Sequence, residues 1–434
     1  MKFYNREKEL KNLKTIEQAS KQSTKMTIIV GRRRIGKTTL IKEAYPQKLY
    51  LFVSKKNEAL LCEEFIKIVE QQLEVKIFGE MKKFKELFEY LMELSTKRAF
   101  TLIIDEFQEF LTINKSLYSD MQNIWDSYKD RSQMNLVLIG SKYSLMERIF
   151  EDRKEPLFGR ANNKMELKAF TVVTLKEILE DYAHNYAHDD LLSFYILTGG
   201  VAKYVEIFVD AKAFTLEKQL DLIFDDYSLF LEEGKNLLIE EFGKEYTTYF
   251  SILSLIASSK TSRSEMESIL ERNIGGYLEK LELEYSIIKK VKPIFAKEGS
   301  RTVKYEIIDN FFNFWFRFIY KYRSAIELEN YEYVKNIVRR DYETYSGLFL
   351  ERYFQEKLRL SYEYSAIGNY WERGNQNEID IVAINEDEKR MLIGEVKRNP
   401  KKIDLYKVEQ KALKLTAKYK KYSVEYKAFS LEDM

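Results

Sequence analysis

Residues 31–38 read Gly-Arg-Arg-Arg-Ile-Gly-Lys-Thr and fit the pattern G-x-x-x-x-G-K-[ST], which constrains the fold more than any other stretch. An apolar run, residues 27–30, precedes the pattern, and a helical run, residues 38–44, follows it. Between a strand and a helix, the glycines let backbone N–H groups surround a phosphate at the helix N-terminus. The stretch therefore predicts an ATP-binding loop formed by Gly31, Arg32, Arg33, Arg34, Ile35, Gly36, Lys37, Thr38 and Thr39.

Two acidic residues after a second apolar run supply the other half of such a site. We expect Lys37 to hold the β- and γ-phosphates and Thr38 to offer its hydroxyl to Mg²⁺. Residues 102–104 then deliver Asp105 to the same Mg²⁺, and Glu106 polarises the attacking water. ATP and Mg²⁺ are the cofactors that this combination predicts.

Two further residues each leave two interpretations open. Ser141 follows the apolar run 136–139, and either contacts the γ-phosphate or the water, or is an ordinary serine at a strand end. Arg160 lies at a turn, residues 156–160. It is either an arginine finger that acts on a neighbouring subunit's nucleotide, which implies a homo-oligomer through the ATPase domain, or a surface arginine.

The periodicity divides the chain into four predicted domains. Apolar runs alternate with helical patterns up to residue 170, as in an α/β domain with a parallel sheet. A helical stretch, residues 171–235, breaks only at Gly199 and Gly200. Residues 236–320 read as three short helices and two β-like runs, a winged-helix pattern. Residues 321–434 continue an aromatic-rich helical connector and then follow the order α-β-β-β-α-β, with the long helix at about residues 345–360.

Acidic residues and one lysine mark the last domain. Asp380 lies in an apolar strand pattern, and Glu395 and Lys397 share one face of the next strand because they are two residues apart. Glu351, on the long helix, is a candidate for the same site. Carboxylates that hold Mg²⁺ beside a lysine suit phosphodiester hydrolysis. The alternative is that these are ordinary exposed charges.

Composition limits the other chemistries. With one Cys and two His residues, the chain lacks the ligands of a usual Cys/His zinc site, so a metal would sit on oxygen ligands, which suggests Mg²⁺. The single Cys fits a reducing compartment, and we see neither a signal peptide nor a membrane-length apolar run. We therefore expect a cytoplasmic protein with no membrane partner.

The overall charge is nearly balanced, with 71 Lys+Arg against 69 Asp+Glu, so only local charge can indicate a partner. Residues 397–421 carry ten Lys/Arg and two acids, and residues 289–304 carry six Lys/Arg and one Glu. Both runs fit the binding of a nucleic-acid backbone, DNA first and RNA as an alternative. A solvated helix face explains the first run equally well, and a winged helix is often only a packing module.

Several motifs together resemble the archaeal-type P-loop ATPases that are related to AAA+ and STAND proteins. They are residues 3–10, 31–38, 105–108, 156–160, 198–200, 314–320 and 347–351, together with Asp380, Glu395 and Lys397. The resemblance implies an AAA+-like P-loop parallel sheet, a helical lid, a winged helix and a C-terminal α/β PD-(D/E)XK nuclease-like domain. It also implies that residues 3–10 lie near the adenine. Ala202 departs from the family pattern, which usually has a proline after the glycine pair.

Two hypotheses about function follow. The first is an ATP-hydrolysing ATPase coupled to a Mg²⁺-dependent nuclease-like domain that acts on DNA. The second is a regulatory, STAND-like ATPase switch whose C-terminal domain binds nucleic acid or protein without cleaving it. The intact acid set at Asp380 and Glu395 favours the first.

Overall fold

The computed structural model describes residues 1–183, 185–297, 299–300, 302–372, 374 and 376–434, and of Glu240 it describes only the backbone. His184, and Glu298 and Arg301 of the basic run 289–304, lie outside the described residues. The chain forms two compact units, residues 2–169 and residues 170–434 with Met1. None of the helices in the described part is long and apolar enough to cross a membrane.

The first unit is an α/β domain. Its strands are β1 (Lys25–Val30), β2 (Leu49–Phe52), β3 (Phe100–Asp105), β4 (Met134–Gly140) and β5 (Asn163–Glu166). Its helices are α1 (Glu7–Ser20), α2 (Lys37–Ala44), α3 (Glu58–Leu73), α4 (Phe84–Leu94), α5 (Phe110–Ile113), α6 (Leu117–Tyr128) and α7 (Tyr143–Glu151). A short 3₁₀ turn, Phe107–Glu109, follows β3.

The five strands form one parallel sheet in the order β2-β3-β4-β1-β5, which confirms the predicted parallel sheet. Alternate residues of a strand join apolar clusters on opposite faces; on β1, Ile28 packs into one cluster and Ile29 into the other. Helices cover both faces, and this is why β1, β3 and β4 are largely apolar, whereas the edge strand β5 is polar apart from Met165. β4 separates β1 from β3, so residues 141–142 lie between the phosphate-binding loop and Asp105 along the sheet edge.

The second unit begins with helices. They are α8 (Val172–Tyr182), α9 (His188–Thr198), α10 (Ala202–Asp210), α11 (Leu216–Ile223) and α12 (Phe230–Phe242). Next come α13 (Tyr246–Ala257), α14 (Arg263–Leu270), α15 (Gly275–Glu279) and an antiparallel hairpin of β6 (Ile288–Val291) and β7 (Lys304–Ile307). The order of three helices and a hairpin is the one that the winged-helix interpretation predicts.

The C-terminal sheet is mixed. After α16 (Asn310–Phe314), α17 (Arg323–Glu327) and α18 (Tyr331–Leu360) come β8 (Ala366–Tyr370), β9 (Ile379–Asn385), β10 (Arg390–Val396), α19 (Leu405–Thr416) and β11 (Ser423–Phe429). The strand order is β11-β10-β9-β8, parallel only between β10 and β11. The order α-β-β-β-α-β is present as predicted, but α18 begins at Tyr331, well before residue 345, since residues 331–346 contain no Gly or Pro that would interrupt a helix.

The segment after β6 packs on the C-terminal sheet. The backbone N–H of Ile294 donates to the carbonyl of Asn369 on the edge strand β8 at 2.7 Å. The rings of Phe295 and Tyr419 lie 4.9 Å apart, and Lys304 pairs with Glu378 at 2.7 Å. An unpaired sheet edge is a liability, and this segment covers part of it. These contacts favour the packing role over a DNA-touching wing.

Candidate functional site

The predicted phosphate-binding loop connects β1 to the N-terminus of α2, in the expected strand–loop–helix context. Gly36 has a φ of 94°, a conformation that glycine adopts without strain. At Gly31 a Cβ atom would lie 2.7 Å from the carbonyl oxygen of Leu167, so no larger residue fits there. Both glycines are therefore needed by the backbone path of the loop.

Lys37 is buried at the start of α2. Its Nζ donates to the carbonyl oxygens of Gly31 at 2.6 Å and Arg32 at 3.0 Å. Burial lowers the pKa of Lys37 to about 8, while the nearby acids Glu106 and Asp105 act in the opposite direction. A buried ammonium whose close partners are backbone carbonyls gains most from an anion, and a phosphate in the loop would supply one.

Thr38 and Asp105 meet at a tyrosine that sequence reasoning missed. The Tyr50 hydroxyl on β2 donates to Oδ2 of Asp105, and the Thr38 side chain is near enough to the same hydroxyl to act on the pKa of Tyr50, which burial raises. Burial raises the pKa of the Asp105 carboxyl, which favours a cation beside it. A carboxylate and a hydroxyl are oxygen donors that suit Mg²⁺, so the two residues fit the predicted metal position.

Glu106 is held by two neighbours. Ser141 Oγ donates to Oε2 of Glu106 at 2.7 Å, and the Gln108 amide donates to the same oxygen. The backbone N–H of Glu106 donates to Oδ1 of Asp105 at 2.8 Å. Ser141 is thus placed against the predicted water-polarising residue. Gln108 belongs to one of the family-like motifs, but the motif alone predicts no role for it.

Arg160 is engaged within its own chain. Its guanidinium donates to Oδ2 of Asp126 on α6 at 2.7 and 3.2 Å and to the carbonyl of Pro156 at 2.7 Å. A finger that reaches a neighbouring subunit would have to leave these partners. The contacts favour the alternative of a structural surface arginine, and the finger stays a prediction.

In the second unit, the three predicted residues of the C-terminal site lie together on β9 and at the end of β10. Lys397 Nζ lies 3.0 Å from Oε1 of Glu395 and 3.3 Å from Oδ2 of Asp380. The backbone N–H of Val396 also donates to Oδ2 of Asp380 at 2.8 Å. Each carboxylate residue is only 8% exposed. The juxtaposition predicted from strand periodicity is present in the structure.

Two more charged residues approach this cluster. Burial and then the charge of Asp380 raise the pKa of Glu351 on α18 well above its ordinary value, but among the residues that the structure describes Glu351 does not complete the predicted metal site as a third ligand beside Asp380 and Glu395. Lys411 on α19 lies 3.3 Å from Oε2 of Glu395. The sequence places Lys411 only within the basic run 397–421, and its separation of 16 residues from Glu395 does not indicate this pairing.

Two uncharged residues brace Asp380, and neither was predicted. The side-chain amides of Gln355 and Asn369 both donate to the Asp380 carbonyl oxygen, at 3.2 and 2.8 Å. Gln355 also donates to Oδ1 of Asn369 at 3.0 Å. These bonds connect α18 and the edge strand β8 to the strand that carries Asp380.

The donor set allows one kind of metal site. Within the described ranges, no three His, Cys, Asp or Glu side chains are arranged around a single metal position. Asp380 and Glu395 nevertheless form a pair of carboxylates, and burial followed by the Glu395 charge raises the pKa of Asp380. Mg²⁺ often binds through one or two carboxylates and keeps several waters, so the pair fits Mg²⁺ better than a metal that needs an all-protein cage.

Both ends of the chain match known protein families. Residues 3–208 match an ATPase domain found predominantly in Archaea, and residues 315–414 match a family of archaeal and bacterial proteins of unknown function. An uncharacterized protein of Methanocaldococcus jannaschii is 28% identical over 424 residues, which cover 93% of this chain and 91% of that protein.

A solved structure supports the fold. The Walker-type ATPase PABY2304 of Pyrococcus abyssi superposes with a TM-score of 0.54 at 17% identity, over 72% of this chain and 96% of that one. At this identity the likeness concerns the fold alone. Together with the complete phosphate-binding loop and the 2-3-4-1-5 parallel sheet, the match over residues 3–208 supports an archaeal-type P-loop ATPase domain in the N-terminal part of the chain.

Proposed function

We propose that this chain is an ATP-hydrolysing ATPase coupled to a Mg²⁺-dependent nuclease-like domain that acts on DNA. The observation that carries the nuclease half is the meeting of Asp380, Glu395 and Lys397 on neighbouring strands, with the lysine within 3.3 Å of both carboxylates. The ATPase half follows from the domain match and from the geometry around Lys37 and Glu106.

In the nucleotide site, each residue has a separate task. The backbone N–H groups of the loop surround the phosphates, and Lys37 neutralises the charge between the β- and γ-phosphates. Thr38 and Asp105 would hold Mg²⁺, which supplies positive charge to the phosphates when bound. Glu106 accepts a hydrogen bond from the attacking water, and Ser141 keeps its carboxylate in place.

In the C-terminal site, Asp380 and Glu395 would hold Mg²⁺, whose chemistry when bound is to lower the pKa of a coordinated water and neutralise the phosphodiester. Lys397 orients the attacking water or stabilises the charge that develops on the phosphate. Lys411 is a second ammonium group beside the Glu395 carboxylate and helps to offset its charge before a metal cation arrives. Gln355 and Asn369 fix the backbone that carries Asp380.

The regulatory switch is the second candidate, and one observation favours it. Lys397 and Lys411 already compensate the charge of Glu395, so the cluster is also a complete ion-pair network without a metal. In that case the C-terminal domain binds nucleic acid or protein, and ATP controls when it does so.

Metal binding separates the two candidates. We expect calorimetric titration with Mn²⁺ to detect a site in wild-type chain and to lose it in Asp380→Asn and Glu395→Gln. Lys397→Ala should keep the metal but slow cleavage of plasmid DNA, because lysine is not a metal ligand. Asp387→Asn removes an exposed carboxylate from the turn between β9 and β10 and is the matched control.

The outcome is read on several substrates. Plasmid, linear duplex, single-stranded DNA and RNA should each be tested with Mg²⁺ and with Mn²⁺. Cleavage that is lost in Asp380→Asn and retained in Asp387→Asn supports the nuclease. Binding of DNA without cleavage under every metal condition supports the switch, and normal cleavage by Asp380→Asn removes the proposed site.

A further inference from the structure

A cavity of about 840 Å³ in the first unit is lined by more lysines than any role so far explains. Five lysines contribute to it from three separate segments of the chain: Lys55, Lys56, Lys82, Lys83 and Lys142. We call this cavity the lysine groove. It lies beside the loops that follow β2, β3 and β4, along the sheet edge where these parallel strands end.

The acids in the groove do not neutralise it. Glu58 is committed elsewhere, since its carboxylate accepts the backbone N–H of Phe84 at 2.9 Å and the Asn114 amide at 3.0 and 3.1 Å. Glu109 pairs with Lys142 at 3.4 Å. The remaining four lysines are exposed. Lys56 pairs with Glu64 and Lys82 pairs with Glu80 at 2.9 Å, and such exposed ion pairs restrain lysines only weakly. The groove therefore presents a net positive surface to an anion.

Two exposed aromatic side chains lie a few residues before groove lysines in the sequence, outside the set of residues that line the cavity itself. Phe52, at the end of β2 and three residues before Lys55, is 51% exposed. Phe78, in the loop that leads to Lys82, is 88% exposed. Lysines that contact phosphates, interspersed with aromatic rings on which bases stack, are the combination that binds single-stranded nucleic acid. An acidic protein would pair with the lysines but would have no bases to stack on the two exposed phenylalanines.

We propose that the lysine groove binds single-stranded nucleic acid, with its lysines on the phosphates and with Phe52 and Phe78 against the bases. The site belongs to the ATPase unit, and it is distinct from the carboxylate cluster and from the basic run 397–421. The binding claim stands whether or not the C-terminal domain cuts DNA.

Two segments that line the groove also carry residues of the nucleotide site. Residues 106–109 and residues 141–142 are joined by two parallel links, Ser141 to Glu106 at 2.7 Å and Lys142 to Glu109 at 3.4 Å. A phosphate in the groove competes with Glu109 for Lys142 and weakens the Lys142–Glu109 ion pair. Ser141, the residue next to Lys142, then moves, and the Glu106 carboxylate to which it is hydrogen-bonded moves with it. Bound nucleic acid therefore changes the rate of ATP hydrolysis, a step that rests on the proposed ATPase function.

The binding test uses the full chain and a fluorescein-labelled oligothymidine, measured by anisotropy in EDTA so that cleavage cannot occur. The double variant Lys55→Gln/Lys83→Gln should bind roughly tenfold more weakly, and the slope of log K against log salt should fall by about 0.7 for each phosphate that is no longer neutralised. Lys11→Gln/Lys14→Gln removes the same charge from exposed positions on α1 and should match wild type. Phe78→Ala should weaken binding roughly tenfold with the salt slope unchanged.

The position of the bound oligonucleotide and its effect on ATP hydrolysis are measured in separate experiments. An oligonucleotide with 4-thiothymidine, crosslinked by light and mapped by mass spectrometry, should label peptides that contain Phe52 or Phe78. Addition of the oligonucleotide should change ATP turnover of wild type at least about twofold and that of the groove variant less, because fewer phosphates then reach Lys142.

Three results would overturn the proposal. They are equal binding by the groove variant and the α1 control, crosslinks confined to residues 397–421, and displacement of the oligonucleotide by polyglutamate at equal charge concentration. A chain that binds in the groove but never hydrolyses ATP would instead contradict the proposed ATPase function. A chain that binds in the groove but never cleaves DNA would contradict only the nuclease half.

Discussion

Lys37 and Glu106 divide the nucleotide site between binding and turnover. Lys37 sits against the loop carbonyls, where a phosphate would arrive, whereas Glu106 is held by Ser141 beyond it. The two residues therefore predict different kinetic defects, and the difference can be measured without knowledge of the nucleic-acid partner.

Lys37→Ala should weaken ATP binding by about 1.5–3 kcal/mol, the size of a charge-assisted hydrogen bond. That loss is roughly a 10- to 150-fold rise in Kd. Glu106→Gln should bind ATP as wild type does and stop turnover, since the amide is a poor acceptor for the proton of water. Lys42→Ala, an exposed lysine on the same helix, is the control. Fluorescent-nucleotide titration and phosphate release measure the two quantities; unchanged hydrolysis by Lys37→Ala would refute this assignment.

Substitution of Arg160 tests whether ATP hydrolysis needs a neighbouring subunit. Because its guanidinium is bound to Asp126 and Pro156, we expect Arg160→Ala to behave like Asp126→Asn and turnover per chain to be independent of protein concentration. An arginine finger gives the opposite pattern. Activity then rises with concentration, and a mixture of Arg160→Ala with Glu106→Gln chains regains activity at mixed interfaces.

Site residues could be predicted where their partners lie close to them in the sequence. Glu395 and Lys397 share a strand face, and the phosphate-binding loop is a continuous stretch, so periodicity and spacing were enough. Tyr50 and Lys411 were missed because each contacts the site from another element, and one sequence does not show which elements lie side by side.

At the scale of elements, the apolar runs 27–30, 102–104 and 136–139 match β1, β3 and β4 to within two residues, because a strand buried on both faces is largely apolar. Helix ends were harder to predict from the sequence. α18 runs from Tyr331 to Leu360. Its N-terminus is capped by the Asn330 side chain, which accepts a hydrogen bond from the backbone N–H of Tyr333 at 3.3 Å. Such a cap is one of many Asn-containing patterns in the chain, and its use is decided by packing.

The link after α9 depends on a glycine. Gly200 has a φ of +67°, and a Cβ atom there would lie 2.4 Å from the Phe170 carbonyl oxygen. Gly200→Ala should therefore destabilise the second unit by about 1–3 kcal/mol, with a lower midpoint of thermal unfolding. Gly276→Ala, in open space within α15, should leave the midpoint unchanged or raise it slightly. Equal midpoints for the two variants would show that the α9 link is not constrained as described.

At the scale of the molecule, the three domains predicted within residues 171–434 pack as one compact unit. Arg398, the residue after Lys397, donates to both carboxylate oxygens of Asp189 on α9 at 2.9 and 2.8 Å. The segment after β6 is bound to the edge strand β8. Periodicity identified the elements of each predicted domain, but side-chain contacts between distant segments decide how they assemble, and these left no pattern in the sequence.

One chain is proposed to carry two phosphate chemistries at two separate sites, and one experiment tests this directly. ATP turnover and DNA cleavage should be followed in the same Mg²⁺-containing reactions for wild type, Lys37→Ala and Asp380→Ala. We predict that wild type performs both, that Asp380→Ala loses cleavage but keeps ATP turnover, and that Lys37→Ala loses turnover. If wild type cleaves neither DNA nor RNA under any metal condition, or if Asp380→Ala cleaves normally, the account of the C-terminal site is wrong.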